Sequence, residues 1–405
     1  MEYARCCVVG GGPAGMMAGL LLARAGVRVT VLEKHKDFLR DFRGDTVHPS
    51  TLRLLDELGL GRRFAALPQR KLERMHMQIG EKTVLAADFT RLRGPHRHIA
   101  MVPQWDFLDL LADAAAAEPA FTLRLGAEFT GLISESGRVT GVEYRTVDGT
   151  TETVSADLVL ACDGRDSAAR AAAGLRQRPF AVPMDVWWIR IPSRADDRHD
   201  RTVFARFEAG RAAVTMDRGD YYQTSFLIPK GSDARLRAKG IDWLRTQLAE
   251  LFGWDADLLA AIRGWDDVKL LEVTMGRLPR WFVPGLLCLG DAAHTMSPVG
   301  GVGVNLAVQD AVAAARLLVD PLRRGGLTTA DLARVQRRRW LPTALVQRGQ
   351  RGEHAAVVRP ALDGTLRRAP APLRLLDRFP ILAGLSAYVG GVGIRPEHAP
   401  GFARR

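Results

Sequence analysis

Gly10, Gly12 and Gly15, followed by Glu33, are the first residues of this 405-residue chain whose types and spacing could do chemistry. They spell G-x-G-x-x-G with an acid about twenty residues on, the arrangement that grips a dinucleotide when a strand precedes it and a helix follows. The first glycine permits a tight turn, the second lets the backbone approach a pyrophosphate, and the third lets helix and strand pack closely. The helix N-terminus then faces the anion. A carboxylate at Glu33 would take the adenosine ribose hydroxyls and repel a 2′-phosphate, so the dinucleotide expected here is FAD or NAD rather than NADP. Ala14 in the turn and Lys34 beside the acid complete this group of candidate contacts.

The elements that position the turn read directly from the pattern. Arg5 to Val9 is a short apolar run, Ala14 to Ala25 has helical length and closes on Gly26, and Val27 to Leu32 reads as a second strand. Together they make a βαβ unit, whose crossover sets the two strands parallel. Further along, helices are expected at Ser50 to Leu58, Trp105 to Ala117 and Ile241 to Ile262, and a hairpin at Arg74 to Leu85. Phe121 to Leu160 reads as a meander ending at a buried strand, Leu158 to Cys162. Asp185 to Pro229 reads as an antiparallel sheet with polar turns at Glu208-Ala209-Gly210 and Asp217-Arg218-Gly219. After a strand at Val268 to Met275, the run Leu286 to Leu289 leads into a second Gly-rich turn, followed by helices at Asn305 to Leu318 and from Asp331.

Two motifs beyond the first turn bring in a family. Asp163-Gly164-Arg165-Asp166-Ser167-Ala168-Ala169-Arg170 resembles the DGxxSxxR motif, and Gly290-Asp291-Ala292-Ala293-His294 the GDAAH motif, of single-component FAD-dependent aromatic hydroxylases. These are the enzymes related to para-hydroxybenzoate hydroxylase and the ubiquinone-pathway hydroxylases. The order and separation of the motifs match across nearly the whole chain. The resemblance implies an α/β fold: a discontinuous Rossmann-type FAD-binding domain (1–73, 101–175 and 276–330), an interleaved antiparallel β-sheet substrate domain (74–100 and 176–275), and a C-terminal helical segment (331–405).

The resemblance also implies roles. Asp291 would bond the ribityl chain of FAD, and Asp163 would lie by the pyrophosphate. Arg43, in Asp41-Phe42-Arg43-Gly44-Asp45-Thr46, matches a flavin-contacting arginine, and Gln104 a glutamine that opens the following helix. Pro298-Val299-Gly300-Gly301-Val302-Gly303-Val304-Asn305 looks like the flavin-ring loop, so that Pro298, Gly301, Gly303, Val304 and Asn305 join the cofactor contacts. Glycines there let amides approach the ring, and a helix starting near Asn305 aims its positive end at the edge where reduced flavin carries charge. His294 is expected to pack and bond locally rather than act as a base.

The implied reaction is monooxygenation. NADH or NADPH, a transient reductant, reduces FAD, and a flavin C4a-hydroperoxide delivers one oxygen atom of O2 to an aromatic or other electron-rich small molecule. A phenolic substrate benefits from a base, which the sequence does not identify; His48, Thr46, Tyr221 and Tyr222 are candidates only. Trp187 and Trp188 read as an apolar strand facing a pocket or the core. A geranylgeranyl-reductase-like enzyme and a flavin-containing protein without catalysis are the alternatives, separable by oxygen consumption and by flavin bleaching. A halogenase is disfavoured because Trp187-Trp188-Ile189-Arg190-Ile191-Pro192 lacks the second Trp of WxWxIP. A disulfide-reductase-type flavoenzyme is disfavoured by the missing second fingerprint and the missing CxxC.

Composition limits the partners. The formal charge of +12 arises from 57 basic residues, only seven of them Lys, and no basic run is interleaved with stacking aromatics, so no nucleic-acid partner is expected. The densest run, Arg337-Arg338-Arg339, reads as a solvated helix face. Cys6, Cys7, Cys162 and Cys288 read as buried thiols of a cytoplasmic protein, and no metal site is expected. No purely apolar stretch of about 18 residues occurs. The uncharged segment Phe379 to Ile394 is broken by Pro380 and several glycines and is expected to pack under the body, with membrane contact peripheral at most.

Overall fold

The first strand, β1 (Glu2–Val9), leads through the Gly-rich turn into α1 (Pro13–Arg24), which returns as β2 (Val29–Glu33). The computed structural model describes residues 2–39, 46–193 and 204–405. β2 is buried along its whole length, as a parallel strand covered on both faces must be. β1 pairs in parallel with β2 (Val9↔Leu32) and, on its other side, with the strand Thr151–Ala161 (Val9↔Ala161). Thr151–Ala161 in turn pairs in parallel with Leu286–Cys288 (Ala161↔Cys288). These registers bring Gly10, Glu33, Asp163 and Gly290 to the same edge of one sheet. The carboxyl edge of such a sheet is where open α/β folds bind ligands.

A second, seven-stranded sheet runs in the order Val268–Leu271, Met184–Pro192, Tyr221–Pro229, Arg211–Asp217, Phe204–Glu208, Arg74–Ile79, Lys82–Asp88. The hairpin Arg74–Ile79/Lys82–Asp88 therefore joins strands more than a hundred residues away. One face of this sheet, with Trp187, Ile189, Ile191, Tyr222 and Phe226, packs on the helices Asp233–Arg237, Ile241–Phe252 and Ala256–Leu259. The opposite face carries Val186, Trp188, Ala212, Val214 and Leu227 and meets Val299, Val357 and Val358. The single helix expected over Ile241 to Ile262 is two helices, because Gly253 closes the first at φ +70° and Asp255 caps the second by accepting from Leu258 N.

The helix α2 (Pro49–Glu57) follows the first excursion, and α3 (Gly303–Arg324) and α4 (Thr329–Glu353) follow the second Gly-rich turn. α3 with the turn before it, Val299–Arg324, is long and apolar enough to cross a membrane, and most of its apolar stretch is buried inside the protein. The segment after Phe379 packs by one face only: Ala383, Ala387 and Gly391 are buried, but Phe379, Ile381, Leu385, Tyr388 and Val389 are exposed. All four cysteines are buried free thiols, and among the described residues no cluster of His, Cys, Asp and Glu could hold a metal ion.

Candidate functional site

The three sequence motifs converge through close backbone packing. Gly10 has φ +103°, and a Cβ there would stand 2.5 Å from the Cys162 carbonyl oxygen and 2.8 Å from Asp163 Cα, so the first turn lies on the second motif. A Cβ on Gly290 would meet Ala307 Cβ at 3.1 Å and Ala14 Cβ at 3.4 Å, which places the third motif where α1 and α3 cross. The Arg170 guanidinium donates to the Ala292 carbonyl at 3.3 Å and thereby ties the second motif to the third.

The turn at the start of α1 fits a pyrophosphate. At Gly15 a side chain is impossible, since a Cβ would fall 1.9 Å from the Gly10 carbonyl oxygen. Gly12 differs: its φ of −73° suits any residue, and a Cβ would meet no protein atom within 4 Å. Nothing in the protein requires a glycine there; an anion approaching the helix start would. α1 has no side-chain cap and no acid in its first turn, so its amides are left for such a ligand. Gly303 repeats the pattern at the uncapped start of α3, again with no atom within 4 Å of a Cβ.

Glu33 is buried at the end of β2, where it accepts from Gly11 N at 2.9 Å and His35 N at 3.0 Å. Lys34, the residue after β2, is exposed. Asp163 holds its own motif together, accepting from the Ser167 hydroxyl at 2.5 Å and Ala169 N at 3.0 Å. Burial raises its carboxyl above the ordinary range, although these bonds and Arg170 pull the other way. Asp291 is half-buried, and its carbonyl is fixed by Gln177 Nε2 at 2.9 Å. Gln104 is the first residue of the helix Gln104–Ala116. Arg43 lies outside the described residues.

The loop from Pro298 to Asn305 is pinned from two sides. Thr46 Oγ1 donates to the Gly301 carbonyl at 2.9 Å, and a Cβ on Gly301 would lie 2.5 Å from that hydroxyl. Asn305 is buried and accepts from the hydroxyls of Ser50, at 3.1 Å, and Thr51. Val304 is half-buried at the start of α3. His48 is buried at the start of α2, with Nδ1 bonded to the Gly390 carbonyl at 3.0 Å and the Gly301 backbone as a further polar neighbour. Burial lowers its pKa to about 4, so it is a neutral ring that links the C-terminal segment to this loop region.

Tyr222 lies on the face of the sheet that packs on the helices, whereas Val299 of the ring loop meets the opposite face. Adjacent residues of a strand face opposite sides, and Tyr222 stacks on Trp254 (5.6 Å) beneath the helices, whereas Tyr221 carries Arg190 5.0 Å over its ring on the other face. Trp187 and Trp188 divide the same way. Trp187 is core, donating to Asp233 at 2.7 Å, and Trp188 is on the face toward Val299.

His294 is locked beneath the site. Its Nε2 meets Asp310 Oδ2 at 2.5 Å, and Asp310 also accepts from Gly290 N at 3.2 Å and Arg339 Nε at 2.9 Å. Arg339 reaches Glu397 at 3.6 Å, and Glu397 also pairs with Arg338 at 2.7 Å and with Arg316. The reading of Arg337 to Arg339 as a solvated face is therefore wrong for Arg339, which is 1% exposed. A run of three arginines turns through most of a helix circumference, and one of them points inward at the buried acid. Gln177, Asp310, Arg339, Gln350 and Glu397 went unrecognised in the sequence because none lies in a local motif; each acts across the fold.

The model of the FAD binding domain family matches residues 3–348. The chain belongs to this family. A 6-methylpretetramide 4-monooxygenase from Streptomyces rimosus is 34% identical over 387 residues, which cover 92% of this chain and 91% of the relative. A 12-dehydrotetracycline 5-monooxygenase/anhydrotetracycline 6-monooxygenase, also from Streptomyces rimosus, is 29% identical and covers 93% of this chain and 71% of its own. Among solved structures, an anhydrotetracycline hydroxylase from the same organism shares the fold with a TM-score of 0.78 at 24% identity, over 98% of this chain and 77% of the other. The protein is an FAD-dependent monooxygenase with NADH or NADPH as reductant. That so many of the relatives are monooxygenases disfavours the reductase and silent-binder alternatives for this flavoprotein.

Proposed function

We propose that this monooxygenase hydroxylates a polycyclic aromatic phenol of the polyketide type. The single observation that carries the substrate class is the 34% identity, over nearly the full length of both chains, to an enzyme named for 6-methylpretetramide. Bound FAD would supply the redox and oxygen-transfer chemistry.

The protein's own residues bind, orient and enclose. The amides of the Gly10–Gly15 turn would take the pyrophosphate, Glu33 the adenosine ribose and Asp291 the ribityl chain, while Gln104 would flank the cofactor and Asp163 braces its own motif beside that turn. The loop Pro298–Asn305 would present amides and the start of α3 to the flavin ring, which would favour negative charge there. The Trp188 face of the seven-stranded sheet, meeting Val299 of that loop, supplies an apolar wall that keeps water from the reacting centre. The test is to supply 6-methylpretetramide and anhydrotetracycline with NADH or NADPH and air. Accelerated reductant oxidation with a product one oxygen heavier supports the reading; reductant oxidation unchanged by either compound, with no such product, rejects it.

A further inference from the structure

Glu353 is the last residue of α4, where the helix loosens into the π-helical turn His354–Val358. Such turns are rare and often mark functional sites. Residues three and four apart share a helix face, and the neighbours of Glu353 on that face are informative. Gln350, one turn before, donates to the Ser297 carbonyl at 2.9 Å and to the Val299 carbonyl at 2.7 Å. Val357, one turn after, is buried with Val186, Ala212 and Leu227 of the sheet, in the cluster that Trp188 and Val299 border. The adjoining His354 meets the Ser297 hydroxyl at 2.9 Å. Glu353 is therefore set between the ring loop and the Trp188 face of the seven-stranded sheet.

The fully buried carboxylates Asp185, Asp310 and Glu397 are saturated with partners. Asp185 has Lys230 at 2.6 Å together with Gly231 N and Val273 N; Asp310 has His294, Arg339 and Gly290 N; Glu397 has three arginines. Among the described residues, the Glu353 carboxyl has neither a hydrogen-bond nor an ion-pair partner. Its side chain is half-buried. An unpaired carboxyl in such a place destabilises the fold, which makes it a candidate for function.

We propose that Glu353 is the acid–base residue of the hydroxylation site, a catalytic residue that takes the proton from a phenolic hydroxyl of the bound substrate. The O–H bond breaks, Glu353 gains the proton, and the electron pair stays on the phenolate oxygen and delocalises into the ring, raising its reactivity toward oxygen transfer; no further oxidant or reductant is needed for this step. Burial alone pushes the carboxyl up to about 7, where a base works best near neutral pH. The inference rests on the phenolic substrate proposed above.

The test compares wild-type holoenzyme with Glu353→Gln and Glu353→Asp, using 6-methylpretetramide and anhydrotetracycline as probes. With wild type, the absorption spectrum of the bound probe becomes that of the phenolate. With E353Q, FAD retention and probe affinity persist, the probe stays neutral, and kcat falls at least about 100-fold, with partial recovery in Glu353→Asp. If E353Q ionises and oxygenates the probe like wild type, the inference is wrong while the substrate reading stands. If wild type neither binds nor oxygenates either probe, the substrate reading fails, and infrared titration of the free holoenzyme decides the role of Glu353. A protonated-carboxyl band that is missing in E353Q and titrates near neutral supports it; a band in the ordinary carboxylate range overturns it.

Discussion

Replacing Asp310 by Asn tests the buried network that holds the Gly290 turn. Asp310 is 0% and Arg339 1% exposed, and one carboxylate serves His294 at 2.5 Å, Arg339 at 2.9 Å and Gly290 N at 3.2 Å. Burial alone would raise the Asp310 pKa, but His294 and Arg339 outweigh it and hold the group below the ordinary carboxylate range. The near-isosteric amide removes the charge and leaves Arg339 with Glu397 at 3.6 Å as its remaining carboxylate. Breaking a buried pair in this way costs about 3–5 kcal/mol, which urea unfolding at pH 7 would read. Because the folded pKa is depressed, the contribution of Asp310 is full above the unfolded carboxylate range and is lost as pH falls through the folded value, so the two proteins converge only in acid. The double variant Asp310→Asn/Arg339→Met should lose less than the sum of the singles by at least about 1 kcal/mol. A loss below about 1 kcal/mol for D310N, or simple additivity, would refute the coupling.

Other outcomes follow from the same geometry. Gly12→Val should leave the thermal unfolding of the apoprotein almost unchanged, since no protein atom lies within 4 Å of the new Cβ, yet abolish FAD binding in a fluorescence titration; retained affinity would show that the pyrophosphate sits elsewhere. Gly10→Ala should instead destabilise the apoprotein by more than about 1 kcal/mol, because φ +103° and the 2.5 Å approach to Cys162 both forbid a side chain; unchanged stability would contradict that. Asp291→Ala should lose FAD while the chain stays folded, and Glu33→Arg should raise the FAD dissociation constant, whereas full flavin retention in either argues against the assigned contact. Tyr222→Phe should keep kcat within about twofold, as expected of a core side chain, and a large fall in kcat with normal flavin content would return Tyr222 to the site.

What could be read from the sequence was what is local. The strand, turn and helix around Gly10 to Gly15 declare themselves through glycine spacing and apolar period, and the observed α1, Pro13–Arg24, differs from the expected Ala14 to Ala25 by a residue at each end. Faces were harder to read. Tyr221 and Tyr222 are equivalent in sequence, and only the helices packed on one side of the sheet tell them apart. The inward turn of Arg339 depends on an acid 29 residues away on α3. Glu353 carries no motif, and its place at the ring loop comes from Gln350 and His354 binding Ser297 across more than 50 residues of chain.

The most direct measurement is the origin of the inserted oxygen. The holoenzyme, given 6-methylpretetramide, NADH or NADPH and oxygen-18 gas in ordinary water, should release a hydroxylated product carrying one labelled atom. A product with no label, or a substrate recovered unchanged while the reductant is consumed, would contradict the account.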